Sequence, residues 1–344
     1  MPYGVFLLAP RFPGQTDRVA LDRALAAVDA AERVHLDEVW IAEHHFMPYG
    51  VCPDALTFAA LALGRTRRVA VGTAVSVLTT AHPVAIAERA LLLDNLSGGR
   101  FHLGVGRGGP WLDLEVFGAG LERYEHGFTE AIDLLLRAAT GPTVAGTPGF
   151  PFREVPVVPA PATRPHPPVA VAATSRDTVA VAAARGLPLL LGMHVGDEEK
   201  RGMVEHYRDS GGPADAPHVS AVVLHVADRR REAVAEVMAA APGWLRAGLA
   251  AHVPVDGRPG PTRDPHAYAR HLCDLHPVGD LDYCAARLAR SAERTGVRRV
   301  IAMVEATGDP AHTLRDVAAL GALRRAGSGL GPVRPGASDL GKLA

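Results

Sequence analysis

The stretch WIAEHHF, residues 40–46, sets an acid and two adjacent histidines directly behind an apolar run. Imidazole titrates near neutrality, so His44 and His45 read as candidate acid/base groups at the exit of a strand. The ordinary alternative is that one histidine caps a neighbouring backbone and the other is solvated. A zinc pair does not fit, because the chain has no HExxH and adjacent side chains diverge. No metal is expected.

Two further segments could do chemistry. GVGRGGPW (104–111) sets Arg107 among glycines, and ATSRDT (173–178) brings Thr174, Ser175 and Thr178 to the start of a helix. Hydroxyls at a helix N-terminus favour an anion, and an arginine on a neighbouring turn can reach the same anion. Together they read as a phosphate site. Taken singly, Ser175 reads as well as an ordinary N-cap and Arg107 as a surface charge. GVGRGG also matches GxGxxG, but Pro110 and Trp111 follow where a helix should begin, so a dinucleotide fingerprint is rejected. GASDLGKL (336–343) misses a P-loop at Leu343 and has no strand before it.

The elements that position these groups alternate along the chain. Eight apolar, β-rich runs occur: YGVFLL (3–8), DEVWIA (37–42), RVAVGTAVSVL (68–78), RFHLGVG (100–106), PVAVAA (168–173), LPLLLG (187–192), HVSAVVLHVA (218–227) and VRRVIAMV (297–304). Segments of helical periodicity follow them. Continuous apolar strands separated by helices predict a parallel sheet covered by helices, and eight units predict a closed (β/α)8 TIM barrel. A doubly wound open sheet is the competing topology. Residues 141–167 are rich in Pro and Gly and predict a small hairpin after unit four. Residues 250–279 predict a long lid-like insertion after the seventh strand–helix pair. Residues 1–326 form the barrel, and 327–344 a flexible C-terminal tail.

The bulk numbers exclude some classes. The chain has 344 residues with 36 basic and 37 acidic groups, a net charge of −1 that points to neither nucleic acid nor an anionic membrane. No apolar run is long enough to span a bilayer, and the N-terminus has no signal-peptide pattern. Cys52, Cys273 and Cys284 form no CxxC and read as reduced thiols, hence a cytoplasmic protein.

WIAEHHF, VGTAVSVLTTAHPVAIAERALLLDNLSGGRFHLGVGRG and HPVGDLDYCAARL together resemble the bacterial luciferase-like flavin-dependent monooxygenases. The resemblance runs from residue 3 to about 323 and is densest from 36 to 140. It implies reduced FMN at the C-terminal mouth of the barrel, supplied by a separate flavin reductase. Arg107, Ser175, Thr178 and Thr174 would hold the phosphate. A non-proline cis peptide would join Ala74 and Val75 beneath the flavin ring. His44 would be the catalytic acid/base, with His45 and His82 behind it. Reduced flavin would react with O2 to a C4a-hydroperoxide that oxidises a small, mostly apolar substrate. By their place on strands one, six and seven, Phe6, Leu8, Met193, His194, Leu224 and His225 are expected to line the substrate pocket, with His82 beside them. Gly106 stands where the luciferase α-subunit has a reactive cysteine, which puts luminescence in doubt. The same resemblance also allows a deazaflavin (coenzyme F-420) oxidoreductase, or a non-catalytic flavin-binding subunit. It implies a homodimer through helices two and three.

Overall fold

Eight parallel strands close on themselves in the computed structural model, which describes residues 1–258 and 263–327. They are β1 (Tyr3–Leu7), β2 (Glu38–Ile41), β3 (Ala70–Thr73), β4 (Phe101–Gly106), β5 (Val169–Ala172), β6 (Leu189–Leu191), β7 (Val219–Val223) and β8 (Arg299–Met303). Neighbours pair in chain order, and β1 returns to β8 from Tyr3↔Val300 to Phe6↔Met303. The β3–β4 pairing, Val71↔Phe101 and Gly72↔His102, completes the circle. An open sheet would leave two strand edges unpaired. Among the described residues no barrel strand has one, so the closed alternative holds.

The outer layer consists of α1 (Asp17–Arg33), α2 (Ala55–Arg65), α3 (Pro83–Ser97), α4 (Phe128–Thr140), α5 (Arg176–Ala183), α6 (Asp197–Asp209), α7 (Leu281–Thr295) and α8 (Pro310–Gly327). Local chemistry sets their ends. Asp54 caps α2, its Oδ1 accepting from the N–H groups of Leu56 and Thr57 at 3.0 Å each. Gly98 ends α3 in the left-handed conformation, φ 66°. The expected hairpin is present as Thr143–Val144 against Val155–Pro156. No helix among the described residues is long and apolar enough to cross a membrane.

One expectation is corrected here. The helix Arg230–Ala250 is not the seventh helix of the outer layer; α7 is. Arg230–Ala250 pairs instead with a second helix, Pro265–Leu275, inside the segment expected to be a bare lid. The pair joins the cluster that fills the barrel interior, through Trp244, Leu245, Tyr268 and Leu272. Trp244 stacks on Tyr49 at 4.8 Å and donates to its carbonyl at 3.0 Å. Helical periodicity shows that a helix has an apolar stripe, but not which side of the sheet that stripe meets. Residues 259–262, and the tail beyond Gly327 with its GASDLGKL segment, lie outside the described residues.

The interior also holds polar groups that the sequence reading missed. Trp40 donates to Glu38 at 2.6 Å, and Arg299 bridges Glu38 at 2.5 Å and His102 at 2.8 Å. Trp40 occupies the space left by two strand glycines. A Cβ on Gly72 would lie 2.7 Å from its ring, and one on Gly104 would lie 1.9 Å from the Thr73 carbonyl oxygen.

After β8, the fully buried Glu305 accepts from the N–H groups of Leu8 (2.9 Å) and Ala9 (3.1 Å) and pairs with buried Arg23 at 3.4 Å. It thereby fixes the exit of β1. Glu305→Ala would leave Arg23 and two backbone donors without this partner, and is expected to cost about 3–5 kcal/mol. Urea unfolding with the midpoint compared at constant slope checks this; a loss below about 1 kcal/mol would contradict the assignment.

Candidate functional site

A cavity of about 510 Å³ opens among the loops that follow the barrel strands, a volume ordinary for a small-molecule site. His44 and His45 both line it. The His44 backbone N–H donates to the Cys52 carbonyl at 2.9 Å, and its ring meets Tyr49 edge-on at 5.1 Å. The Nδ1 of His44 is buried and, among the described residues, has no hydrogen-bond partner. Burial, reinforced by His252, His194 and His45, holds its pKa at about 3, so the ring is neutral at pH 7. Gly50 makes this position accessible: a Cβ there would sit 2.6 Å from His44 Nδ1 and 2.5 Å from the Leu8 carbonyl oxygen.

His45 turns differently. Its Nε2 is 3.4 Å from Glu43 Oε1, and its ring packs edge-on against Phe117 at 4.9 Å. Glu43 also accepts from the N–H groups of Val77 (3.3 Å) and Ala55 (3.4 Å), tying the β2 exit to the next unit. The acid of the EHH motif thus organises the loop and orients His45.

The Ala74–Val75 peptide is cis, and both residues line the cavity. The Ala74 N–H donates to the Ile41 carbonyl at 2.7 Å. Thr73 Oγ1 bonds Gly104 in both directions, at 2.8 and 3.0 Å, fixing the turn. A Cβ on Gly106 would lie 2.8 Å from Val75, so a side chain there would displace Val75.

Arg107 and the start of α5 leave adjacent strands, since Val105 pairs with Val171. The Arg107 guanidinium lies over the Tyr124 ring at 5.1 Å. Among the described residues it has no carboxylate at salt-bridge distance. Thr174 lines the cavity. Ser175 is the N-cap of α5, accepting from the Thr178 N–H at 3.3 Å, with the two hydroxyls 3.0 Å apart. The cap satisfies one donor of the first turn and leaves its neighbours unpaired within the helix.

His194 also lines the cavity and hydrogen-bonds the Tyr268 hydroxyl through Nδ1. Desolvation among the loops of the mouth, with Arg263 and His252 nearby, lowers its pKa, although the side chain stays open to solvent.

Several expected pocket residues are elsewhere. Phe6, Leu8 and Met193 are packed in the barrel interior, not on the cavity wall, because inward-facing side chains of a small barrel form its core. Leu224 is buried in the layer between strands and helices. His82 is the N-cap of α3, accepting from the Val84 N–H at 3.3 Å, with its ring against Phe150 and Phe152. His225 is fully buried between Asp316 and Glu236.

The sequence reading missed Trp111, Asp113, Tyr124 and His252, which all line the cavity. Asp113 is buried with one carboxylate oxygen unpaired, and burial raises its pKa. His252 meets Trp111 edge-on at 4.9 Å. The Val255 N–H donates to the Pro110 carbonyl at 2.8 Å, strapping the insertion to the β4 loop across the mouth. A histidine and prolines following a predicted helix were a visible signal. Their return to Pro110 was not.

Buried and half-buried neutral histidines also set a pH dependence. His44 and His276 are held near 3, and His102 and His218 near 4, in each case mainly by burial. Their folded pKa values lie below the unfolded value of about 6.5. The stability they contribute is complete above that value and is lost as pH falls toward 4. His225 runs the other way, its raised pKa reflecting Asp316 and Glu236 against burial. We expect the four to outweigh the one, so the urea midpoint should fall steadily from pH 6.5 to 4. A flat midpoint over that window would refute it.

The family model for luciferase-like monooxygenases matches residues 1–299. The alkanal monooxygenase alpha chain of the Kryptophanaron alfredi symbiont is 33% identical over 210 residues, covering 61% of this chain and 59% of the relative. The match therefore spans less than two thirds of that relative's length. A monooxygenase from Streptomyces bottropensis superposes with a TM-score of 0.81 at 21% identity, covering 93% of this chain and 98% of that one. The oxygenating constituent of 3,6-diketocamphane monooxygenase from Pseudomonas putida, solved with FMN, gives a TM-score of 0.72 at 19% identity, covering 93% and 97%. Those two likenesses bear on the fold, and the family model bears on membership: this chain belongs to the luciferase-like monooxygenase family.

Proposed function

We propose that the protein is a flavin-dependent monooxygenase that takes reduced FMN and O2 and oxygenates a small, mostly apolar organic substrate. One observation carries the reading. A neutral histidine and the Ala74–Val75 cis peptide line one cavity, with Gly106 packed against Val75, and Arg107, paired with no carboxylate among the described residues, stacked on the cavity residue Tyr124. These features fit a flat, phosphorylated ring system. Arg107, Thr174 and the first turn of α5 would hold the phosphate, with Tyr124 keeping the guanidinium in place. Ala74, Val75 and Gly106 would support the ring. Bound reduced FMN supplies the electrons that let one oxygen atom of O2 enter the substrate while the other leaves as water. His44 would act as the acid/base group, since its neutral ring lines the cavity. Trp111, Phe46 and the strap at Val255 shield the cavity from water.

A separate reductase would deliver the flavin, and the chain would pair with a second copy through α2 and α3, where Leu61, Leu92 and Leu96 are exposed. Light scattering reads that second point directly.

The deciding experiment titrates the protein with reduced FMN and, separately, with reduced F-420, with and without oxygen. Tight reduced-FMN binding with an oxygen-dependent absorbance change supports the proposal. Binding of F-420 alone, indifferent to oxygen, would replace it with a deazaflavin oxidoreductase. Binding of FMN without any oxygen response would indicate a non-catalytic subunit.

A further inference from the structure

We propose that His225, Glu236 and His312 form a binding site for one divalent transition-metal ion of the zinc class, with Arg315 filling the cation's place in the ion-free chain. The three ligand atoms, one from each residue, all lie within 4.8 Å of one another. His225 Nε2 is 2.8 Å from Glu236 Oε2, which is 3.6 Å from His312 Nδ1. Ligands at about 2.0–2.1 Å from a tetrahedral zinc stand roughly 3.3 Å apart, so only small shifts are needed. Two imidazoles and a carboxylate suit zinc, cobalt or nickel more than magnesium or calcium.

A supporting carboxylate is already in place. Asp316 Oδ2 lies 2.8 Å from His225 Nδ1, while Asp316 Oδ1 accepts from the Val226 N–H at 2.8 Å. Asp316 would keep the Nδ1–H of His225, while an incoming ion would displace the Nε2 proton now shared with Glu236 at 2.8 Å, the arrangement that backs metal-binding histidines generally. Arg315 Nη2 is 2.7 Å from Glu236 Oε2 and 3.3 Å from His225 Nε2. A positive group thus already sits against two of the three ligands. Its side chain is 38% exposed and can swing into solvent, and Glu236 and His312 also reach the surface. Thr307 Oγ1, 3.2 Å from His312 Nδ1, would have to release that nitrogen.

The site is separate from the cavity, whose lining includes none of these residues. It joins the strand extension His225–Val226, the inserted helix Arg230–Ala250 and the first turns of α8. That helix leads directly to Ala251 and His252 at the mouth, so a bound ion would clamp the cavity roof to the last βα unit.

The test uses the tag-free full chain, cleared of metal with a chelator. Zinc is titrated by calorimetry, and cobalt by visible absorbance. The expected result is one ion per chain at micromolar affinity, with intense cobalt bands of low-coordinate nitrogen/oxygen ligation that zinc abolishes. His312→Gln and Glu236→Gln should each weaken binding at least tenfold. Arg315→Ala should tighten it severalfold by removing the competing cation. His225 is a poor first variant, because burial between two carboxylates makes it part of the fold. Circular dichroism confirms that the exposed-site variants are folded. No stoichiometric uptake would overturn the proposal, as would uptake that survives the Glu236→Gln/His312→Gln double variant or disappears with His44→Gln/His252→Gln. An unchanged affinity in Arg315→Ala would overturn the role given to the guanidinium.

Discussion

His44→Ala is expected to slow the oxygen-dependent step about 10²–10⁴-fold, the range for removing a positioned general acid/base. The ring lines the cavity, and among the described residues its buried Nδ1 has no hydrogen-bond partner. Burial lowers its pKa to about 3, so the resting ring is neutral at pH 7 and holds any proton it takes up only weakly. His45 is already paired with Glu43 and wedged against Phe117, so His45→Ala should cost much less. The measurement is stopped-flow reoxidation of reduced FMN on the protein, with binding of reduced FMN determined alongside. Unchanged binding with slowed kinetics assigns a chemical role. Equal losses from the two histidine variants would sink the distinction between them. Gly50→Ala offers an independent check, since its Cβ would push the ring off its position without removing the imidazole.

Much of this was legible before the structure. Eight apolar runs alternating with helical segments gave the barrel because continuous apolar strands need cover on both faces. The meeting of His44, His45 and Thr174 at one cavity was legible because strand exits converge at one end of such a barrel, while the roles given to them and to Arg107, Ser175 and Thr178 are proposals. The Ala74–Val75 peptide came from the resemblance, not from any property of those two residues. Strand position could not separate a wall residue from a core residue, so Phe6, Leu8 and Met193 were placed on the cavity. His225 was misread because burial against Asp316, ninety-one residues away, leaves no local trace. The helical pair Arg230–Ala250 and Pro265–Leu275 was assigned to the wrong layer for a related reason. Its partners, such as Tyr49 for Trp244, are remote in sequence. The buried Arg23–Glu305 pair was invisible on the same grounds, since an isolated acid after a strand carries no sign of its partner.

Arg107→Ala is expected to weaken reduced-FMN binding about 10–150-fold, as the loss of about 1.5–3 kcal/mol from a hydrogen bond to a charged group implies. The guanidinium is held over Tyr124 and is not neutralised by a carboxylate, so its charge is available to an anion. The phosphate can be removed from the other side by titrating riboflavin. If Arg107 acts on the phosphate, riboflavin should bind the native protein more weakly than FMN, and Arg107→Ala should bind both almost equally. That cycle isolates the pair from any general loosening of the β4 loop, which would weaken both ligands together. Arg107→Lys should restore only part of the affinity, because an ammonium keeps the charge but loses the planar fork. Turnover at saturating flavin should stay within a few-fold, since the phosphate is remote from the reacting ring. If FMN keeps its full advantage over riboflavin in Arg107→Ala, the anion site lies elsewhere. The α5 N-terminus at Thr174 and Ser175 would then carry it alone.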